Sequence, residues 1–200
     1  PRVSQFRLTA HLSLAFLIFI SMMWVALDLL TARQRSTASE ALRKLQRTGI
    51  MLAILAFYTV VTGGFVAGIR AGKAYNTFPL MNGHFLPPES FIIEPWYLNF
   101  FNNMALVQFD HRLGAWLLAF LVPWFFLKVW AANVSNRARL AAAFLLVSLI
   151  IQISLGIATL LLAVPVALGT AHQGGSMVVF GALLWLNHEL RVVRGPAAIA

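Results

Sequence analysis

Three histidines, His11, His111 and His172, each stand about one turn inside the start of a long apolar segment. An imidazole surrounded by hydrocarbon is costly and ordinarily has a partner or a metal. Two of them sit in polar runs, Gln108-Phe109-Asp110-His111-Arg112 and Gly169-Thr170-Ala171-His172-Gln173. If their segments cross a bilayer in the same direction, the two rings lie at one depth. Facing each other across a helix bundle, they could supply both axial ligands of one haem iron. A packing and hydrogen-bonding role is the plainer reading of the same pair. Asp110 suits the positive end of its helix, and Arg112 could pair with it or hold an anionic group. The chain has no cysteine, so a haem here would be held without thioether attachment.

The elements that must carry these residues follow from composition. The chain is 60% hydrophobic and only 10% charged, whereas a soluble domain is about a quarter charged. Five apolar segments, A to E, cover residues 6–30, 49–69, 105–129, 138–164 and 167–193. Each approaches the ~20 residues a spanning helix needs. Pro165 and Gly169 mark the break between D and E. The expected fold is an all-α integral membrane protein with five transmembrane helices, the last four forming a haem-binding four-helix bundle. Residues 1–31 form a separate helix, 32–48 a basic loop, 49–193 the bundle with an outer loop at 70–104, and 194–200 a tail.

The net charge of +9 is distributed as a topology signal rather than a nucleic-acid surface. Arg33, Arg35, Arg43, Lys44 and Arg47 lie between A and B. Lys128, Arg137 and Arg139 flank the C–D connection, and Arg191 and Arg194 follow E. Positive residues mark cytoplasmic loops, which puts the N-terminus and the B–C and D–E connections outside and the C-terminus inside. The chain opens on Pro1 with no signal peptide ahead of A, so further helices are expected upstream.

Segments A and E echo one another. Aligned on Thr9-Ala10-His11 and Thr170-Ala171-His172, Phe19 matches Phe180, Trp24 matches Trp185, and Asp28 matches Glu189. Parallel repeats of this kind are common in membrane proteins. On that reading A ends one repeat and B to E form a second. Segment B carries Gly63-Gly64, Gly68 and Gly72; Gly64, Gly68 and Gly72 fall at four-residue spacing, a small-residue stripe that permits close helix packing and could also give a haem plane room. The long B–C connection, with its aromatic residues, reads as an interfacial loop or a lid over an outer site. His84 and His188 read as simple interfacial residues.

The run Gly63-Gly64-Phe65-Val66-Ala67-Gly68, continuing through Ala71-Gly72-Lys73-Ala74-Tyr75-Asn76-Thr77-Phe78-Pro79-Leu80-Met81, resembles the central signature of haem A synthases of the proteobacterial and mitochondrial type. Gln108-Phe109-Asp110-His111-Arg112 and His172-Gln173 resemble that family's second-half histidine motifs. The resemblance implies an eight-helix parent in two pseudo-twofold halves, of which this chain is helices four to eight. It implies that His111 and His172 ligate haem b, and that His11 lies beside the haem O substrate. It also implies oxidation of a methyl group of haem O to a formyl group, giving haem A for terminal oxidases. The family's catalytic acid falls in the upstream helices, so no catalytic residue is assigned here and this stretch alone is expected to be inactive. Implied partners are the bilayer of the inner membrane, haem O and a haem O synthase, with an unidentified electron-transfer partner; oligomeric state is left open. Arg7, Arg70 and Arg112 are the candidates for holding propionates. Two rivals remain: a membrane cytochrome b used for electron transfer, and a transporter with helix-packing glycines.

Overall fold

Ser39, Asn103 and Ser135 start three long helices by the same device, a side-chain oxygen accepting backbone N–H groups of the first turn. In the computed structural model, which describes residues 4–31 and 39–191, the chain runs through α1 (Gln5–Leu30) and α2 (Glu40–Gly68). Short α3 (Ala71–Ala74) and α4 (Asn99–Asn102) lie in the long connection. The bundle is completed by α5 (Met104–Ala131), α6 (Asn136–Leu161) and α7 (Val166–Glu189). The described part of the basic loop expected at 32–48 is largely helical, because α2 begins at Glu40. Ser39 caps it, and Lys44 lies 2.9 Å from Glu40 one turn back.

Four of the five long helices are long and apolar enough to cross a membrane. The fifth, α7, has 24 residues, but its His172-Gln173-Gly174-Gly175-Ser176 run leaves it no continuous stretch as apolar as those of the other four. Large apolar side chains point outward, Met22 at 68% and Phe120 at 77% exposure. A water-soluble surface rarely carries so much exposed hydrocarbon. The chain is an all-α, multi-pass membrane protein.

Helix α2 packs on α5, α5 on α6, α6 on α7, and α7 back on α2. The four close a ring, with α5 and α7 on one diagonal and α2 and α6 on the other. Leu52, Val122, Phe125, Leu145, Leu183 and Leu186 fill its interior. Helix α1 lies against α2 and α7. It approaches α2 closely because Gly64 faces Thr9 and Gly68 faces Gln5, where an added Cβ would collide with each.

The break between α6 and α7 falls where Pro165 predicts it, and Pro165 is the N-cap of α7. Ala163 and Val164 are both left-handed, with φ of 59° and 62°. Ala163 N–H donates to Leu160 at 3.1 Å and Val164 N–H to Thr159 at 2.8 Å, which satisfies the last carbonyls of α6. Glycine usually holds the first of these positions, so this turn carries strain of about 1–3 kcal/mol per left-handed residue. On the far side of the bundle mouth Gly72 of α3 meets the Val164 side chain.

Candidate functional site

The two diagonal helices α5 and α7 bring His111 and His172 together inside the ring. Their ring centres lie 6.4 Å apart, with planes nearly perpendicular at 86°. Each ring rests on a glycine of a neighbouring helix. A Cβ on Gly63 of α2 would stand 3.0 Å from His111 Cε1, and one on Gly156 of α6 would stand 2.8 Å from His172 Cε1. Any larger residue at either position would push the ring aside.

Those glycines also uncover a carbonyl. In a helix the side chain of residue i+4 lies over the carbonyl of residue i, and residue 63 has no side chain. His111 Nδ1 therefore reaches the Thr59 carbonyl at 3.0 Å, with Thr62 Oγ1 at 3.3 Å. The Thr62 hydroxyl donates to the same carbonyl at 3.0 Å. A carbonyl only accepts, so Nδ1 carries the proton and Nε2 keeps its lone pair for a metal. Helix α5 comes this near because residue 114, one turn beyond His111, is glycine: a Cβ there would collide with Thr59 Oγ1. On the α6 side the Gln152 carbonyl lies beside the His172 ring in the equivalent place. The contact is looser there: His172 Nδ1 is buried beside that carbonyl without a well-formed hydrogen bond, and the buried Gln152 Oε1 has no partner. The Gln152 amide instead donates to the His172 carbonyl at 2.8 Å.

The residues fit a bis-histidine metal group. Two imidazoles bound to one metal at about 2 Å each have ring centres about 6 Å apart once the ring radius is added. The observed separation matches that figure. No group of three or more His, Asp or Glu side chains that could hold a bare metal ion occurs among the described residues. A planar group that needs only two protein ligands suits the pair better than such an ion does.

Arg112 directs its terminal nitrogens to the protein's own backbone. It is 6% exposed and donates to the backbone carbonyls of Thr77 at 2.8 Å, Tyr75 at 2.9 Å and Pro79 at 3.1 Å. It holds the long connection down on the head of α5, where Tyr75, Met81, Ala105 and Phe109 pack together. It does not pair with Asp110, which forms no ion pair among the described residues. Arg7 and Arg70 remain exposed and likewise form none there. The connection is closely braced elsewhere too. The Tyr75 hydroxyl donates to Glu89, and Asn103 donates to the Glu89 carbonyl at 2.7 Å. Burial, reinforced by the Glu89 carboxylate, pushes the Tyr75 hydroxyl up to about 12. The Tyr75 hydroxyl in turn holds Glu89 below the usual carboxylate range.

His11 is exposed on α1. His84 lies in the long connection, its backbone paired with Met81. His188 is not the simple interfacial residue that its position suggested: it is buried, 3.0 Å from Asp28 and edge-on to Trp24. Arg191 reaches the same carboxylate at 2.6 Å, so α1 and the end of α7 are joined by charge. A lone acid in an apolar helix needs such a partner, and that was the signal available in the sequence. Gly156, Thr59 and Thr62 were missed because nothing in the chain order sets them beside the histidines.

These features define a class, a multi-pass helical membrane protein with two histidines meeting inside a four-helix ring. The chain belongs to the COX15-CtaA family, described as cytochrome oxidase assembly protein, which it matches over residues 1–184. It is 61% identical to the haem A synthase of Nitrosospira multiformis over 96% of the chain and 54% of that protein. It is 51% identical to the haem A synthase of Nitrosomonas eutropha, over 94% of the chain and 53% of the relative. With the haem A synthase COX15 of Bos taurus it shares 40% identity, over 96% and 47%. The chain spans about half the length of the curated relatives it matches. No solved structure matches it significantly. The electron-transfer reading draws no support from these relatives, whose names are those of haem A synthases.

Proposed function

We propose that this chain forms the haem b-binding half of a haem A synthase, an oxidoreductase that converts a methyl group of haem O to a formyl group. The observation that carries the reading is the pair of histidine rings 6.4 Å apart inside the ring of helices, in a chain whose relatives bear that name. His111 and His172 would hold the iron, and Gly63 and Gly156 make room for their rings. A bound haem b would supply one-electron chemistry. The protein orients the ligands, excludes water with apolar walls, and closes one end with the connection that Arg112 holds.

His11, Arg7 and Arg70 belong to the substrate side of this reading. His11 is offered to haem O, and the two exposed arginines to its carboxylates. The basic end of the bundle is cytoplasmic and the loop end outside, in the inner membrane. A haem O synthase that delivers substrate and an electron-transfer partner complete the proposed setting.

The test is a reduced-minus-oxidised spectrum of the purified protein in detergent, recorded beside those of His111→Ala and His172→Ala. A sharp low-spin α-band in the parent, lost in both variants, is the expected result. A parent with no such band, or a band untouched by either substitution, overturns the ligand assignment.

A further inference from the structure

The two histidines are presented alike by position but not by hydrogen bonding. Each stands over a glycine, Gly63 or Gly156, and beside the carbonyl four residues before that glycine, Thr59 or Gln152. At His111 the device is complete, with Nδ1 bonded to the Thr59 carbonyl at 3.0 Å and Thr62 Oγ1 alongside at 3.3 Å. At His172 it is looser: the Gln152 carbonyl faces the ring, but Nδ1 makes no well-formed hydrogen bond to it. The residue that would correspond to Thr62, one before the glycine, is Leu155. It has no hydroxyl to offer.

The partner of the outer nitrogen decides how an imidazole serves as a ligand. An N–H donating to a carbonyl fixes the tautomer and the ring plane, and it raises the electron density at the other nitrogen. A ring whose bond is looser is less firmly held and is the weaker donor. We infer that the site is built with unequal ligands: His111 is the anchored one, fixed by Thr59 and Thr62, and His172 is the one that yields. Thr62 is then a positioning residue, acting on the iron only through His111. The inference rests on the haem-binding reading above and adds to it which face of the haem opens. An added small ligand, or a change of oxidation state that weakens one bond, acts at the α7 face.

The experiment compares His111→Ala, His172→Ala, Thr62→Val and Thr62→Ser with the parent, all purified in detergent. Haem per protein, spin state, carbon monoxide binding and midpoint potential are measured. His172→Ala is expected to retain haem on His111 as a high-spin species that binds carbon monoxide and returns to low spin with added imidazole. His111→Ala is expected to lose haem at least about tenfold, the scale on which outer partners and ligands affect metal sites. Thr62→Val keeps both histidines and is expected to shift the potential upward, because it weakens donation to the oxidised iron; Thr62→Ser restores it. Equal haem loss in the two alanine variants overturns the inequality while leaving bis-histidine ligation standing. So does retention in His111→Ala alone, or a potential indifferent to Thr62→Val. A low-spin band unaffected by either alanine variant instead removes the assignment of His111 and His172 as ligands, on which the inference rests.

Discussion

Replacing Arg112 by methionine should release the long connection without unfolding the bundle. Methionine fills most of the arginine's volume and removes its donors. The guanidinium makes three good bonds to backbone carbonyls, at 2.8, 2.9 and 3.1 Å. Each hydrogen bond from a charged donor contributes about 1.5–3 kcal/mol. The Thr77 and Pro79 contacts are only partly buried, so their carbonyls recover water when the loop opens, and the net loss comes to about 3 kcal/mol. That corresponds to about a hundredfold in the equilibrium between closed and open connection. Hydrogen exchange reads this directly. The amides of Met81, Asn82 and His84 are bonded within the loop, at 2.7, 2.7 and 3.1 Å, and should exchange about a hundredfold faster. Amides in the middle of α6 should keep their parental rates. Unchanged exchange at those three positions, or acceleration spread equally through α6, would refute the view that Arg112 is a clamp on the loop.

Substituting Gly114 by alanine should force α2 and α5 apart at Thr59 and cost about 1–3 kcal/mol, read as a lower Tm with less bound haem. Gly169→Ala is its control. Nothing lies within 4 Å of a Cβ there, so Tm should rise by the equivalent of about 0.5–1 kcal/mol. Ultraviolet titration should find a tyrosine step near 12 rather than 10, and Tyr75→Phe should remove that step. Because that pKa is raised on folding, its contribution is full below pH 10 and disappears as pH climbs through about 12. The lowered Glu89 works in the opposite sense. Its contribution is present above the ordinary carboxylate range and is lost as acid protonates it. Loop amide protection, measured relative to the intrinsic exchange rate at each pH, should accordingly be greatest between those limits. Asp28→Asn should cut the tie from α1 to His188 and Arg191, lowering Tm and exposing the end of α1 to protease; an unchanged digestion pattern would count against that tie.

The helices were legible because hydrocarbon content over a ~20-residue window is a direct physical requirement of spanning a bilayer. Pro165 announced the α6–α7 break for an equally local reason, the fixed φ and missing donor of proline. The start of α2 was not legible from hydropathy, since residues 40–48 are helical through a serine cap and an i,i+4 ion pair rather than through apolarity. The histidine pair could be anticipated from equal depth along α5 and α7. The role of Arg112 could not, because its partners are backbone carbonyls, which carry no residue-type signal. Gly64 and Gly68 behaved as the stripe suggested, admitting α1. The glycine that serves His111 is Gly63, outside that stripe, and its counterpart Gly156 stood alone in an apolar helix.

Gly63 and Gly156 have a consequence for how inherited or engineered variants of this chain would be scored. Alanine in place of a helical glycine ordinarily raises folding stability by about 0.5–1 kcal/mol. At these two positions the same methyl group displaces a histidine ring. Folding and ligand geometry are therefore selected in opposite directions at a single atom. A screen that counts how much protein accumulates in the membrane would rate such changes harmless or beneficial. Only an assay of what the protein carries would expose them.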